Sequence, residues 1–252
     1  MSVPANPPKR DFLIEAPLML GADEVHVWRV DLETAPNEEN RLSILSADEQ
    51  ARAARFHFER DRVGFVSTRA ILRKILGSYL ATDPRTLIFK YSEKSKPSLG
   101  GSQAASGLSF NVSHSGKLSL LAFTRSRQIG VDVEQIRRNS DMAAVAARFF
   151  SLAEQEQLAA VPGEQRDEAF FRCWTRKEAY IKATGEGLSL PLHQFDVSLA
   201  PGAQNALLAT RPDPHEAKRW SLCDLAVESG YQAALCVSGA GWRLVDHSIG
   251  TV

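Results

Sequence analysis

Within "IGVDVE" (129–134), apolar Ile129, Val131 and Val133 alternate with Gly130, Asp132 and Glu134. In an extended strand alternate side chains share a face, so the glycine and both acids look away from the apolar set. Asp132 and Glu134 then project the same way, roughly 7 Å apart. Like charges that close disfavour one another unless something positive lies between them. A third acid stands in "EQRDEAFFRCWTRKEAYIKATG", where Glu178 precedes Lys182 by four residues. At about 100° per residue, Phe171, Trp174, Glu178 and Lys182 lie along one edge of a helix. One reading is an i,i+4 ion pair above core aromatics. The other takes the three acids together. Carboxylates on two elements hold a hard divalent cation such as Mg²⁺, whose shell substrate phosphates complete, and Lys182 neutralises charge on a phosphoryl group in transit.

"FNVSHS" (110–115) is the second polar cluster. Ser113 and His114 make a poor nucleophile–base pair, because adjacent strand residues point to opposite faces. No GxSxG elbow occurs in the chain. They serve either as hydrogen-bond donors to a ligand or as a satisfied turn. From Arg52 to Lys74 seven basic residues face two acids, Glu59 and Asp61, with Arg62, Arg69 and Arg73 in one helical stripe. That stripe is either a solvated face or a phosphate-binding wall.

These groups need elements to position them. Strands are expected at "EVHVWRVDL" (24–32), "TLIFKY" (86–91), "LSFNVSH", "LSLLAF" and "IGVDVE", with "SGK" turning one into the next. "SEKSKPSLGGSQAASG" reads as a loop. Ser46 opens one helix, and a second runs from about Arg62 to Leu80 with Phe65, Leu72, Leu76 and Tyr79 as its apolar stripe. Three helices follow "IGVDVE", the last stopped by Gly185, Gly187 and Pro191, and strands return near "QFDVSL", "RWSLCDLAV", "YQAALCVS" and "WRLVD". This order suggests an α+β chain in two similar halves. The expected division is a flexible leader (1–21), an N-terminal half (22–128), a C-terminal half carrying the metal site (129–240) and a tail (241–252).

Over 252 residues, 30 Lys and Arg balance 30 Asp and Glu, so net charge gives no argument for nucleic acid or membrane partners. Three cysteines without CxxC spacing suggest neither a disulfide framework nor a zinc site, and fit a reducing cytoplasm.

"SKP", "FNVSHS", "IGVDVE", "RFFSLAE" and "FFRCWTRKEAYIKATGEGLSLPL" stand in the order and spacing of the 4'-phosphopantetheinyl transferases, which the chain resembles in their larger, surfactin-type (Sfp-like) class. That family's signature is an apolar-Gly-apolar-Asp stretch followed at a distance by Trp-(Ser/Thr/Cys)-x-Lys-Glu-(Ala/Ser)-x-x-Lys. Here it reads Ile129-Gly130-Val131-Asp132, then Trp174 to Lys182.

The resemblance implies a pseudo-twofold fold with the active site between the halves. It implies transfer of the phosphopantetheine arm of coenzyme A to a serine of an apo acyl or peptidyl carrier protein, by a monomer. Asp132, Glu134 and Glu178 would ligate Mg²⁺; Glu178 would help take the serine proton, and Lys182 would steady the pyrophosphate. Ser113, His114, Lys96, Lys177 and the basic helix, including Arg52, Arg62 and Arg69, would contact coenzyme A phosphates. One departure is Gly64, where the family often carries a basic side chain. A Mg²⁺-dependent pyrophosphate or coenzyme A hydrolase and an inactive carrier-binding module are the rival readings.

Overall fold

The computed structural model describes residues 17–33, 38–137, 141–203, 205–211 and 213–249. Most of the expected leader lies outside them. In chain order the elements are β1 (Glu24–Asp31), α1 (Glu38–Leu42), α2 (Ala47–Ala53), α3 (Glu59–Leu80), β2 (Phe89–Tyr91), β3 (Pro97–Leu99), β4 (Leu108–Ser115), β5 (Leu118–Arg125) and β6 (Ile129–Gln135). Then come α4 (Met142–Phe149), α5 (Leu152–Ala160), α6 (Arg166–Thr184), β7 (Phe195–Val197), β8 (Leu207–Thr210), β9 (Trp220–Asp224), β10 (Tyr231–Ser238) and β11 (Arg243–Ile249). The fold is α+β.

Two sheets carry it, ordered β11-β1-β5-β4 and β6-β10-β9. Strand alternation gives each sheet two apolar faces. Val25, Val27, Leu118, Leu120 and Ala122 of the first sheet pack against Ile129, Val131, Val133, Leu235 and Val237 of the second. On its outer face the first sheet sets Trp28, Val30, Leu121 and Phe123 against Ile71, Leu72, Ile75 and Leu76 of α3. The second sheet sets Leu222, Ala234 and Cys236 against Ala179, Tyr180 and Ala183 of α6. The layers therefore run α3, sheet, sheet, α6, with an apolar seam at each step.

The helix signals act as their chemistry requires. Ser46 and Glu49 form a capping box at α2, Ser151 and Glu154 another at α5. Gly185, at φ +81°, closes α6 in the left-handed conformation that a side chain resists. One expectation changes. The stretch read as a loop holds β3, which pairs with β2 through Phe89–Leu99; so short a strand has no room for alternation. The strand expected at "WRLVD" is β11, which pairs in parallel with β1 in the first sheet. Among the described residues no helix is long and apolar enough to cross a membrane. Cys173, Cys223 and Cys236 are free thiols.

Candidate active site

The acids of β6 meet α6 because of Gly130. A Cβ there would sit 2.1 Å from the Ala179 carbonyl oxygen and 2.4 Å from the Ala183 nitrogen, so only glycine lets the helix backbone lie directly on the strand. Asp132 and Glu134, on the same face of β6 as Gly130, are thereby brought under the turn of α6 that carries Glu178 and Lys182.

Asp132 is buried, and its Oδ1 accepts from Lys182 Nζ at 2.6 Å and from Ser113 Oγ at 2.8 Å. Lys182 Nζ also donates to Ser113 Oγ at 3.1 Å and, at 3.4 Å, to the Val131 carbonyl. Lys182 thus bridges to the strand, rather than standing only as the i,i+4 partner of Glu178. Ser115 Oγ donates to Glu134 Oε2 at 2.8 Å. Burial raises the Glu134 carboxyl, and the Asp132 charge raises it further against the pull of Ser115 and Lys182. Glu178 is pushed up to about 7, by burial first, then by Asp132, with Lys182 opposing and Glu134 adding. The three carboxylates therefore feel one another's charge.

Whether they suit a cation is tested by two further observations. Asp132 Oδ2 is buried without a hydrogen-bond partner, an oxygen whose desolvation nothing offsets. Against that, among the described residues no group of three or more His, Cys, Asp or Glu is already drawn together as a metal cage. The donor set is all carboxylate oxygen, which suits Mg²⁺. The acids fit the ion in chemistry, with a lone oxygen in waiting and Lys182 holding the other.

Beside this cluster a cleft of about 400 Å³ begins at Ile129 and Thr184 and is lined by Lys96, Ser98, Arg127 and Gln128. His114 is exposed on β4, on the opposite face from Ser113 and Ser115. Crowding by the surrounding protein holds its imidazole below the usual range, and Lys182 adds to this while Asp61 opposes. A separate apolar groove of about 380 Å³ lies among α4, α5 and α6, lined by Met142, Ala146, Leu158 and Phe170, and holds none of the acids discussed.

Several expected phosphate ligands are occupied otherwise. Lys177 is 0% exposed, ion-paired to Glu154 at 2.8 Å and donating to the Leu192 and Phe195 carbonyls. One position along a helix turns the side chain about 100°, so the neighbour of Glu178 points into the core. Glu154 also accepts from the Ser151 and Val197 amides, joining the "FSLAE" segment to α6. Lys177 is a structural residue, and its assignment to phosphate is corrected.

Lys96 Nζ donates to the Ile129, Lys182 and Ala183 carbonyls, and burial depresses its ammonium to about 8. It caps the C-terminal end of α6 in place of a phosphate contact. Ser113 has committed its single proton to Asp132, leaving an anion none. Arg73 is 1% exposed and holds Glu49, Ser46 and the Pro84 and Leu87 carbonyls. Arg69 is buried between the Phe65 and Phe89 rings with Glu49 at 3.5 Å, so it too serves packing. Arg62 pairs with Glu59 through two hydrogen bonds, and Arg52 is exposed over Phe65. The stripe therefore divides into a buried structural end and an outer end. Sequence reasoning missed Ser115 and Asn111, whose Oδ1 accepts from the Val131 amide at 2.9 Å. Their spacing with Ser113 on one strand face was the available signal.

Comparison with known proteins bears on most of the chain. Residues 34–126 match the family model described as 4'-phosphopantetheinyl transferase, N-terminal, and residues 128–236 that of the 4'-phosphopantetheinyl transferase superfamily. The 4'-phosphopantetheinyl transferase HetI of Nostoc sp. is 44% identical over 227 residues, covering 90% of this chain and 92% of that protein. The 4'-phosphopantetheinyl transferase Sfp of Bacillus subtilis is 31% identical over 206 residues, covering 80% of this chain and 86% of that protein.

Proposed function

The chain belongs to the 4'-phosphopantetheinyl transferase superfamily, in its Sfp-like class, and from this premise we propose how its residues carry out the reaction. The enzyme moves the phosphopantetheine arm of coenzyme A to a serine hydroxyl of an apo acyl or peptidyl carrier protein and releases adenosine 3',5'-bisphosphate. The nucleophile belongs to the partner, so this chain needs no reactive serine or cysteine of its own.

Asp132, Glu134 and Glu178 are the residues that would hold Mg²⁺. Its chemistry is neutralisation of the pyrophosphate charge and support of the leaving phosphate. Glu178, whose carboxylate would be held in its charged form by the bound cation, would take the proton of the incoming serine. Lys182 keeps three donors at the site, and the longest, 3.4 Å to the Val131 carbonyl, is the one a phosphate oxygen would displace. His114 and Arg52 are the groups best placed for the adenosine phosphates, Arg62 being engaged by Glu59, and the 400 Å³ cleft suits part of the nucleotide. Free thiols accord with a cytoplasmic enzyme, and we read it as a monomer. The observation that carries this assignment is the contact of α6 on β6, which sets Lys182 on Asp132 and exposes Glu178 to both other acids.

The test is a mass measurement. Purified protein with Mg²⁺, coenzyme A and an apo carrier protein should add one phosphopantetheine arm to the carrier. Phosphate release from coenzyme A alone, with no mass change across several carrier types, would make the protein a hydrolase instead. Asp132→Asn should remove transfer while leaving the fold; full activity of that variant at limiting Mg²⁺ would refute the metal assignment.

A further inference from the structure

β6 is an edge strand of its sheet, so along one side its main-chain groups have no strand partner. β4, at the edge of the other sheet, runs beside it. Side chains join them where backbone rungs would otherwise stand. Asn111 Oδ1 accepts the Val131 amide at 2.9 Å, and Ser115 Oγ accepts the Gln135 amide at 3.1 Å. Two carbonyls on that edge are met as well, Ile129 by Lys96 at 3.1 Å and Val131 by Lys182 at 3.4 Å. The hydroxyls that reach across also hold the acids: Ser113 donates to Asp132 and Ser115 to Glu134, each at 2.8 Å. Asn111, Ser113 and Ser115 alternate along β4, so all three present to the same face.

We propose that Asn111, Ser113 and Ser115 are positioning residues, a side-chain ladder that replaces the missing strand on the β6 edge and aims the carboxylates of Asp132 and Glu134. The proposal rests on reading those acids as Mg²⁺ ligands. Its physical basis is economy of donors and acceptors. Ser115 donates its one proton to Glu134 while its oxygen takes the Gln135 amide, so one hydroxyl fixes both the strand and the carboxylate that the strand carries. Asn111 fixes the strand one residue before Asp132. Without the ladder the acids would sit on an unpaired edge, free to twist apart under their mutual repulsion. Residues that orient a metal-binding carboxylate typically change metal affinity on the order of 10- to 100-fold when removed.

Ser115→Ala, Ser115→Thr and Asn111→Ala are the informative variants, each measured for folding by circular dichroism. A Mg²⁺ titration followed by thermal shift reads the acids directly, without turnover. Ser115→Ala should need about ten-fold more Mg²⁺, with KM for coenzyme A unchanged once Mg²⁺ is saturating, and Ser115→Thr, which keeps the hydroxyl, should restore the wild-type response. Amide exchange in the metal-free protein reads the strand: Asn111→Ala should speed exchange at Val131 and leave the β10 amides protected. A wild-type Mg²⁺ response in Ser115→Ala, or no recovery in Ser115→Thr, overturns the proposal. Should Ser115→Ala fail to fold, unchanged exchange at Val131 in Asn111→Ala overturns it. A wild-type protein that shows no response to Mg²⁺ refutes the metal reading itself, while the exchange experiment still decides the ladder.

Discussion

Two neighbours on α6, Lys177 and Glu178, show how far roles diverge over one residue. Glu178 faces Asp132 and Glu134 and carries a raised carboxyl. Its folded value of about 7 lies above the ordinary 4.5, so the folded protein holds the proton more tightly than the unfolded chain does. Stability from this group is therefore present below about 4.5 and is lost as pH rises through about 7. In chelator, the melting temperature should fall across that window, and Glu178→Gln should flatten the slope; thermal melts at stepped pH check it, and an unchanged slope would count against the placement of Glu178. Lys177, by contrast, shares a fully buried pair with Glu154. Lys177→Met strands a buried carboxylate and should cost roughly 3–5 kcal/mol in urea unfolding. The double variant Lys177→Met, Glu154→Leu should recover part of that loss. If Lys177 bound phosphate, its loss would instead raise KM for coenzyme A with stability kept.

At the scale of elements, two glycines predict opposite outcomes. Gly130→Ala forces a Cβ onto the α6 backbone at 2.1 Å, where no flexible side chain can yield. Strand and helix must separate, at about 1–3 kcal/mol or more, and transfer activity should fall with stability because the acids and Lys182 part together. Gly64→Ala, inside α3, adds a Cβ that meets nothing within 4 Å. It should stabilise by about 1 kcal/mol, the entropy that a helical glycine forfeits. Denaturation curves of both variants check the pair. Equal destabilisation would mean that α3 is packed more tightly at Gly64 than the contacts indicate. The same open position departs from the family's frequent basic side chain, so Gly64→Arg is a direct way to ask whether a cation there lowers KM for coenzyme A.

Across the whole molecule, the acids lie where the second sheet, its helix and the β4 edge of the first sheet converge. Mg²⁺ bound there should stabilise elements of both sheets together. At 100 times the dissociation constant the gain is about 2.7 kcal/mol, and exchange protection should rise on β4 as well as on β6 and α6; a rise confined to β6 would argue against a shared site. Much of this was legible from residue order. Alternation in "IGVDVE" gave β6 and the common face of its acids, because the alternation of side-chain direction is a local property of a strand. The i,i+4 spacing gave the edge of α6 with Glu178 and Lys182, and the capping residues gave helix starts. Local patterns could not say what Lys177, Lys96, Arg69 and Arg73 do, since a long cation reads alike whether it meets phosphate, a carboxylate or a carbonyl. Nor could they place β11, whose parallel partner β1 lies more than 200 residues away in the sequence and is chosen by the first sheet's open edge. The amino-acid sequence by itself determined which side chains share a strand face or a helix edge, and with them the chemistry available. Tertiary structure alone decided which charges were spent inside the fold, because burial and pairing depend on contacts between segments that no local spacing records.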